Sequence, residues 1–346
     1  MYTLAHLSPN YTKFTALHKV YRNYMSENSG KSSNNPKVIE VVIDSEQHGQ
    51  RIDNFLLSQL KGVPKTHIYR ILRTGEVRAN KGRIKPSYRL NEGDVIRIPP
   101  VRVSEPKEIT IKDSTITARV KQRILFEDKD LIVVNKPAGL AVHGGSGVDY
   151  GLIEIMRELY PLAKRIELVH RLDRDTSGCL ILAKKASVLK AMHEQVRGSG
   201  MEKIYLALLK GRLAGGSKKV DAPLMKNVLS SGERIVRVHP EGKESQTIFT
   251  PQQRFATATL VQARLLTGRT HQIRVHAQHI GHPLAGDEKY GDDEFNKVMR
   301  KSGLKRLFLH AHIVSFIHPV SGERVRISAD LDDDLSRVLE QLGKDQ

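Results

Sequence analysis

The hydrophobic positions of this chain fall into two unequal blocks separated by polar stretches. In "RIDNFLLSQL" and "KTHIYRILRTG" the apolar residues Ile52, Phe55 and Leu56, then Ile68, Ile71 and Leu72, recur at helical spacing and predict two helices. Gly75 is placed to end the second, because a glycine past the last turn accepts a left-handed backbone. Short strands follow at "EVRAN" and "DVIRI", with turns at "NKG" and "NEGD". Residues 101–119 have no helical period and read as a connector. From about 120 onward, apolar runs at 131–134, 180–183, 205–209, 258–266 and 325–327 predict strands, and helical patterns near 151–160, 187–198 and 333–343 flank them. Strands outnumber helices without alternating with them, which favours an α+β class built on mixed, mainly antiparallel sheet over a doubly wound one. The expected organisation is a flexible leader over 1–44, a small domain over 45–101, a connector over 102–119 and a larger domain over 120–346.

Charge sharpens that picture. Lys plus Arg number 56 against 38 Asp plus Glu, a net +18, which favours a polyanionic partner, nucleic acid first and an anionic membrane second. Residues 49–100 alone carry eleven basic residues against four acidic ones, so the small domain reads as an RNA-binding module. The single cysteine, Cys179, excludes an internal disulfide and a thiolate metal cage and suits a reducing compartment. No apolar run approaches the roughly 20 residues that cross a bilayer, so no membrane is expected; the longest, "LFLHAHIVSFI", is short and carries two histidines. The GKS at 30–32 is not a phosphate loop, since Met25 stands where that pattern needs glycine.

Candidate chemistry centres on "HRLDRDTSG", where Asp173 lies between Arg171 and Arg174 in a loop feeding an apolar strand. A cation within about 4–6 Å keeps a carboxylate ionised, able to act as nucleophile, base or structural ion pair. Asp175 raises a two-carboxylate glycosidase, but two ionised carboxylates among arginines leave no general acid. Cys179 opens "CLILA" and reads as a core residue. Histidines 271, 276, 279 and 282 invite a zinc reading, yet 276, 279 and 282 share no helical face and bring no acidic or thiolate ligand, so no metal is expected. Arg269 and Arg274 offer guanidinium groups for phosphate or carboxylate, and Tyr205 sits in the strand-like "EKIYLALLKG", where it reads as packed in the core with its hydroxyl at the edge.

These segments resemble known families. "RIDNFL…IYRILRTGEVRANKGRIKPSYRLNEGDVIRI" is similar to the S4 RNA-binding domain, through R-x-D-x-x-L, I-x-x-G-x-V and G-D-x-I. That resemblance implies that Arg70, Arg73 and Arg78 grip structured RNA. "HRLDRDTSG", "KIYLALLKG" and "GRTHQIRVHAQHIGHPLAGDEKYG" match, in order, signature motifs of the large-subunit family of RNA pseudouridine synthases, and "EDKDLIVVNKPAGLAVH" resembles its entry strand pair. The resemblance spans roughly residues 45–340 and leaves the first 36 unmatched. It implies that Asp173 is the catalytic aspartate, Tyr205 stacks on the target base and Arg274 partners the aspartate. It further implies that Arg171 fills the space of an extruded uridine, and that Arg269 contacts RNA where relatives accept lysine. Isomerising uridine needs neither redox change nor phosphate transfer, so no cofactor is expected. The implied partner is 23S rRNA, naked or in an assembling large subunit, for a cytoplasmic monomer. The competing reading, a non-catalytic S4-type ribosome-assembly protein, accounts for the charge but leaves Asp173, Tyr205 and Arg274 without purpose.

Overall fold

The computed structural model describes residues 38–344 apart from 46, 61, 102–113, 145–149, 164 and 229–233. It divides into two compact units, residues 1–108 and 109–346. In the first, β1 (Ile39–Val42) precedes helices α1 (Ile52–Gln59) and α2 (Lys65–Arg73), followed by β2 (Arg78–Ala79), β3 (Gly82–Arg83) and β4 (Val95–Ile98). The strands form one sheet in the order β1-β4-β2-β3, antiparallel throughout. The apolar positions of both helices are buried in one core with Val77, Leu90 and Ile96. Gly75 is left-handed at φ 76° directly after α2, as its position predicts.

The R-x-D pair at the start of α1 has a structural role. Arg51 donates to both oxygens of buried Asp53, at 3.1 and 2.7 Å, and the Tyr69 hydroxyl on α2 donates to the same carboxylate at 2.8 Å. The Arg51 hydrogen bonds outweigh burial, and Tyr69 adds to them, so the Asp53 carboxyl is held down at about 2. A carboxylate depressed in the folded state contributes stability above its unfolded value of about 3.9 and loses it as pH falls towards 2. Asp53→Asn is therefore expected to weaken this unit by about 2 kcal/mol at neutral pH, with the deficit shrinking at acid pH. Hydrogen-exchange protection of α1 and α2 at pH 7 and pH 3 checks this; an equal deficit at both would contradict it.

The second unit opens with α3 (Ser114–Lys121), β5 (Ile124–Glu127), β6 (Leu131–Lys136), α4 (Leu152–Leu159), β7 (Glu167–Leu168), β8 (Ser177–Ala183) and α5 (Ala186–Arg197). It continues through β9 (Glu202–Lys210), β10 (Lys218–Asp221), β11 (Leu224–Val228), β12 (Arg234–Val238), β13 (Gln246–Arg254) and β14 (Ala258–Leu265). Helices α6 (Gln272–His279) and α7 (Asp293–Lys301), strands β15 (Leu309–Ile317) and β16 (Arg324–Ser328), and helix α8 (Asp333–Lys344) complete it. The main sheet runs β10-β13-β14-β9-β15-β8-β6-β5, with β16 on β15 and β7 on β8; β11 and β12 form a separate hairpin. Every pairing is antiparallel except β15 with β8, which is parallel. The α+β class with mainly antiparallel sheet is the one the patterning predicts.

The connector reading needs correction within this unit. Residues 114–121 form helix α3, whose Ile116 and Val120, four apart, pack into the main core. One turn's worth of apolar residues is too short to declare a period in sequence. At the centre of the sheet, Gly178 lies at φ 106°, and a Cβ there would stand 2.3 Å from the Ala311 carbonyl oxygen. That close approach brings β15 beside β8 and fixes where the loop before β8 ends.

Candidate active site

The loop 169–176 enters fully buried β8 and carries Asp173 at its turn, where the Thr176 N–H donates to the Asp173 carbonyl at 3.2 Å. Lys136, at the end of β6, pins the loop from beneath. Its ammonium is buried and donates to the carbonyls of Pro137, Leu140 and Arg174 at 2.9, 2.8 and 2.8 Å. Burial lowers the Lys136 pKa to about 7, against the pull of Asp175 and Asp173. The Gly139 N–H donates to the same Arg174 carbonyl at 2.9 Å. Lys136 was not singled out by sequence reasoning; the usable signal is a lysine closing an otherwise apolar run in "LIVVNKPAG".

Facing this loop, α6 starts on a fully satisfied glutamine. Gln272 is buried; its Oε1 accepts from the Thr267 hydroxyl and the Arg269 N–H, and its Nε2 donates to Gln246 O and Thr247 Oγ1. Two residues on, Arg274 donates through Nε and Nη2 to the two oxygens of Asp287, both at 2.7 Å, with side chains 12% and 1% exposed. Burial pushes the Asp287 carboxyl up, but Arg274 and the N–H groups of Tyr290 and Lys289 hold it below the usual carboxylate range. The Tyr290 ring lies over the same guanidinium, 4.9 Å away. The remaining nitrogen, Arg274 Nη1, is 3.5 Å from Asp173 Oδ2, and His271 Nε2 is 3.7 Å from that oxygen.

Asp173, Tyr205, Arg274, Arg171 and Arg269 all line one cavity of about 520 Å³, within the range of small-molecule sites. Tyr205 projects from β9, and its hydroxyl is held protonated, raised by burial and then by the Asp173 charge. Arg171 is exposed at the rim. Arg269 is exposed too, with its Nε donating to the Glu244 carbonyl at 3.1 Å. Of the arginines flanking Asp173 in sequence, Arg174 pairs with Asp175 at 3.1 Å, whereas Arg274, the partner that the family resemblance implies, brings Nη1 to 3.5 Å from Asp173. Neighbours in a tight loop point apart, so Arg174 is not the cation that adjacency in sequence suggested.

The other candidates separate cleanly. Cys179 is buried, and burial pushes its thiol up to about 12, so it is a core residue as read. His276 accepts from Thr247 Oγ1 and donates to the Ala222 carbonyl, while His282 donates to the Lys210 carbonyl. Those ring nitrogens are engaged in protein hydrogen bonds rather than grouped as ligands. Asp128, Asp130 and His318 do lie together. His318 Nδ1, however, accepts from Val320 and Ser321 N–H, and its Nε2 stands 2.9 Å from Asp128 Oδ2 as a charge contact. In the first unit Arg70 pairs with Glu76 at 3.3 Å and Arg78 donates to the Gly75 and Lys81 carbonyls. Arg73 lines a cleft of about 460 Å³ with Arg83 and Lys85, two cations not chosen from sequence.

Comparison with known proteins identifies the family. The family model described as RNA pseudouridylate synthase matches residues 130–279, and the S4 domain model matches residues 50–96. Ribosomal large subunit pseudouridine synthase C of Haemophilus influenzae is 55% identical over 309 residues, covering 89% of this chain and 96% of that protein. The protein of the same name from Escherichia coli is 56% identical over 310 residues, covering 89% and 97%. Among solved structures, human RNA pseudouridylate synthase domain containing 4 aligns with a TM-score of 0.54 at 25% identity, over 66% of this chain and 95% of that one. On the strength of these matches, the chain belongs to the ribosomal large subunit family of RNA pseudouridine synthases, isomerases that here carry an S4 RNA-binding domain.

Proposed function

We propose that this enzyme converts specific uridines of 23S rRNA to pseudouridine, with Asp173 as the reacting carboxylate. The observation that carries the reading is one cavity in which that carboxylate meets a tyrosine ring and an arginine clamped by a second, buried carboxylate. In the reaction the N1–C1′ bond breaks, the base turns, C5 bonds to C1′, a proton leaves C5 and N1 ends protonated. Atoms and charge balance without an outside reactant. Asp173 attacks C1′ or C6, or removes a proton next to C1′; Arg274 sets an opposite charge beside it. Tyr205 stacks on the uracil, which offsets the few kcal/mol of extruding a base, and Arg171 at the rim fills the vacated stack. Arg269 and the S4 cations Arg70, Arg73 and Arg78 hold the RNA backbone.

The named relatives act on the ribosomal large subunit, which supports its RNA as substrate, naked or in an assembling particle. No helix among the described residues is long and apolar enough to cross a membrane. We place the enzyme in the cytoplasm as a monomer. The test is release of tritium from 23S rRNA labelled at uridine C5. Isomerisation releases one tritium per site modified; RNA that is bound without release, or that yields free uracil, would overturn the reading.

A further inference from the structure

His271, the residue before α6, has a left-handed backbone at φ 55°, ψ 19°, and its imidazole does not cap the helix. Such a conformation is uncommon outside glycine and persists where the surroundings over-determine it. Two of those surroundings are Tyr290 and Asp173. His271 Nδ1 is 2.8 Å from Tyr290 Oη, and the rings meet edge to face at 5.4 Å. Tyr290 Oη already accepts from the Val236 N–H at 2.9 Å, which leaves its own hydrogen for Nδ1. With Nδ1 accepting, the neutral ring carries its proton on Nε2, the nitrogen 3.7 Å from Asp173 Oδ2.

Both contacts to the Asp173 carboxylate, from His271 and from Arg274, fall on Oδ2. Contacts of this length tighten when substrate closes an active site. The groups facing the imidazole are Asp173, Arg274, Lys289, Asp287 and Tyr290. Burial outweighs the pull of Asp173, and Arg274 and Lys289 add to it, so the ring titrates below an ordinary histidine and is neutral at pH 7.

We propose that His271 is a positioning residue for the isomerisation: its Nε2–H, oriented by Tyr290, steers Asp173 Oδ2 and so aims Oδ1 at the ribose. This rests on Asp173 being the reacting carboxylate. A neutral donor fixes the geometry without adding a second full charge. Once protonated, the ring would set the carboxylate between two cations and blunt its attack, so the rate should fall below about pH 6.5.

Two variants test this. His271→Gly suits the left-handed backbone but removes the donor; its single-turnover rate is expected to fall about ten- to a hundredfold, with RNA affinity within about twofold. His271→Gln can accept from Tyr290 and donate to Asp173 while never titrating. It is expected to recover to within about fivefold of wild type and to lose the acid limb that wild type shows below the ordinary histidine range. A wild-type rate in His271→Gly, or an unchanged acid limb in His271→Gln, overturns the proposal. An inactive Asp173→Asn beside a fully active His271→Gly sinks this inference alone, whereas an active Asp173→Asn sinks the reading on which it rests.

Discussion

Asp173→Asn is expected to lower the single-turnover isomerisation rate by about a thousandfold or more, while rRNA affinity stays within about threefold. The substitution keeps shape and removes charge and nucleophilicity. Its structural cost is small, because the amide oxygen can face Arg274 and Asp287 still holds that guanidinium through two bonds of 2.7 Å. Losing Asp173 therefore strands no buried cation, and an inactive variant reports on chemistry rather than on folding. Asp175→Asn is the matched control. Its carboxylate is half exposed, pairs with exposed Arg174, a contact worth about 0–1 kcal/mol, and adds to the pull on buried Lys136 without a direct ion pair to it, so activity is expected within a few fold. Activity within tenfold of wild type in Asp173→Asn would remove it from the mechanism. An equal loss in both variants would bring back the two-carboxylate hydrolase.

What could be read from the sequence was local. The helices of the first unit, the apolar strands β6, β8, β9 and β14, and the loop position of Asp173 follow from periodicity and composition. Strands β10 and β13 were not predicted. "KKVD" is a charged edge strand with one buried residue, and β13 ends in the polar "PQQR". The site divides along the same line. Asp173, Tyr205 and Arg274 stand in recognisable motifs and line one cavity. Lys136, Gln272, His271 and Asp287 went unassigned because their roles are defined by distant partners. Lys136 is held by carbonyls as far as residue 174, Gln272 by β13, and His271 by Tyr290, beyond the far end of α6. Asp287 lies inside a stretch the family resemblance already covered, but only the fold shows that it, rather than Asp173, takes the two-pronged bond from Arg274.

That arrangement changes what Arg274→Lys tests. Lysine keeps the charge but presents a single ammonium in place of a planar fork. It cannot span both Asp287 oxygens and still reach Asp173. The isomerisation rate is expected to fall more than tenfold, a rise of about 1.4 kcal/mol or more in the barrier, with little change in RNA affinity. A second effect follows from the 1% exposure of the Asp287 side chain. A buried carboxylate that loses one of its donors costs about 1–3 kcal/mol, so the thermal midpoint should drop as well. Rates must accordingly be compared well below that midpoint. Arg269→Lys makes the same chemical change at an exposed residue, whose side chain bonds one carbonyl, and is expected to stay within about threefold. Both substitutions preserve net charge, so a general weakening of the RNA field cannot separate them. If Arg269→Lys proved the more damaging, the guanidinium that serves Asp173 would have been misassigned, and Arg274 would be a strut for Asp287 and α6 rather than part of the reaction.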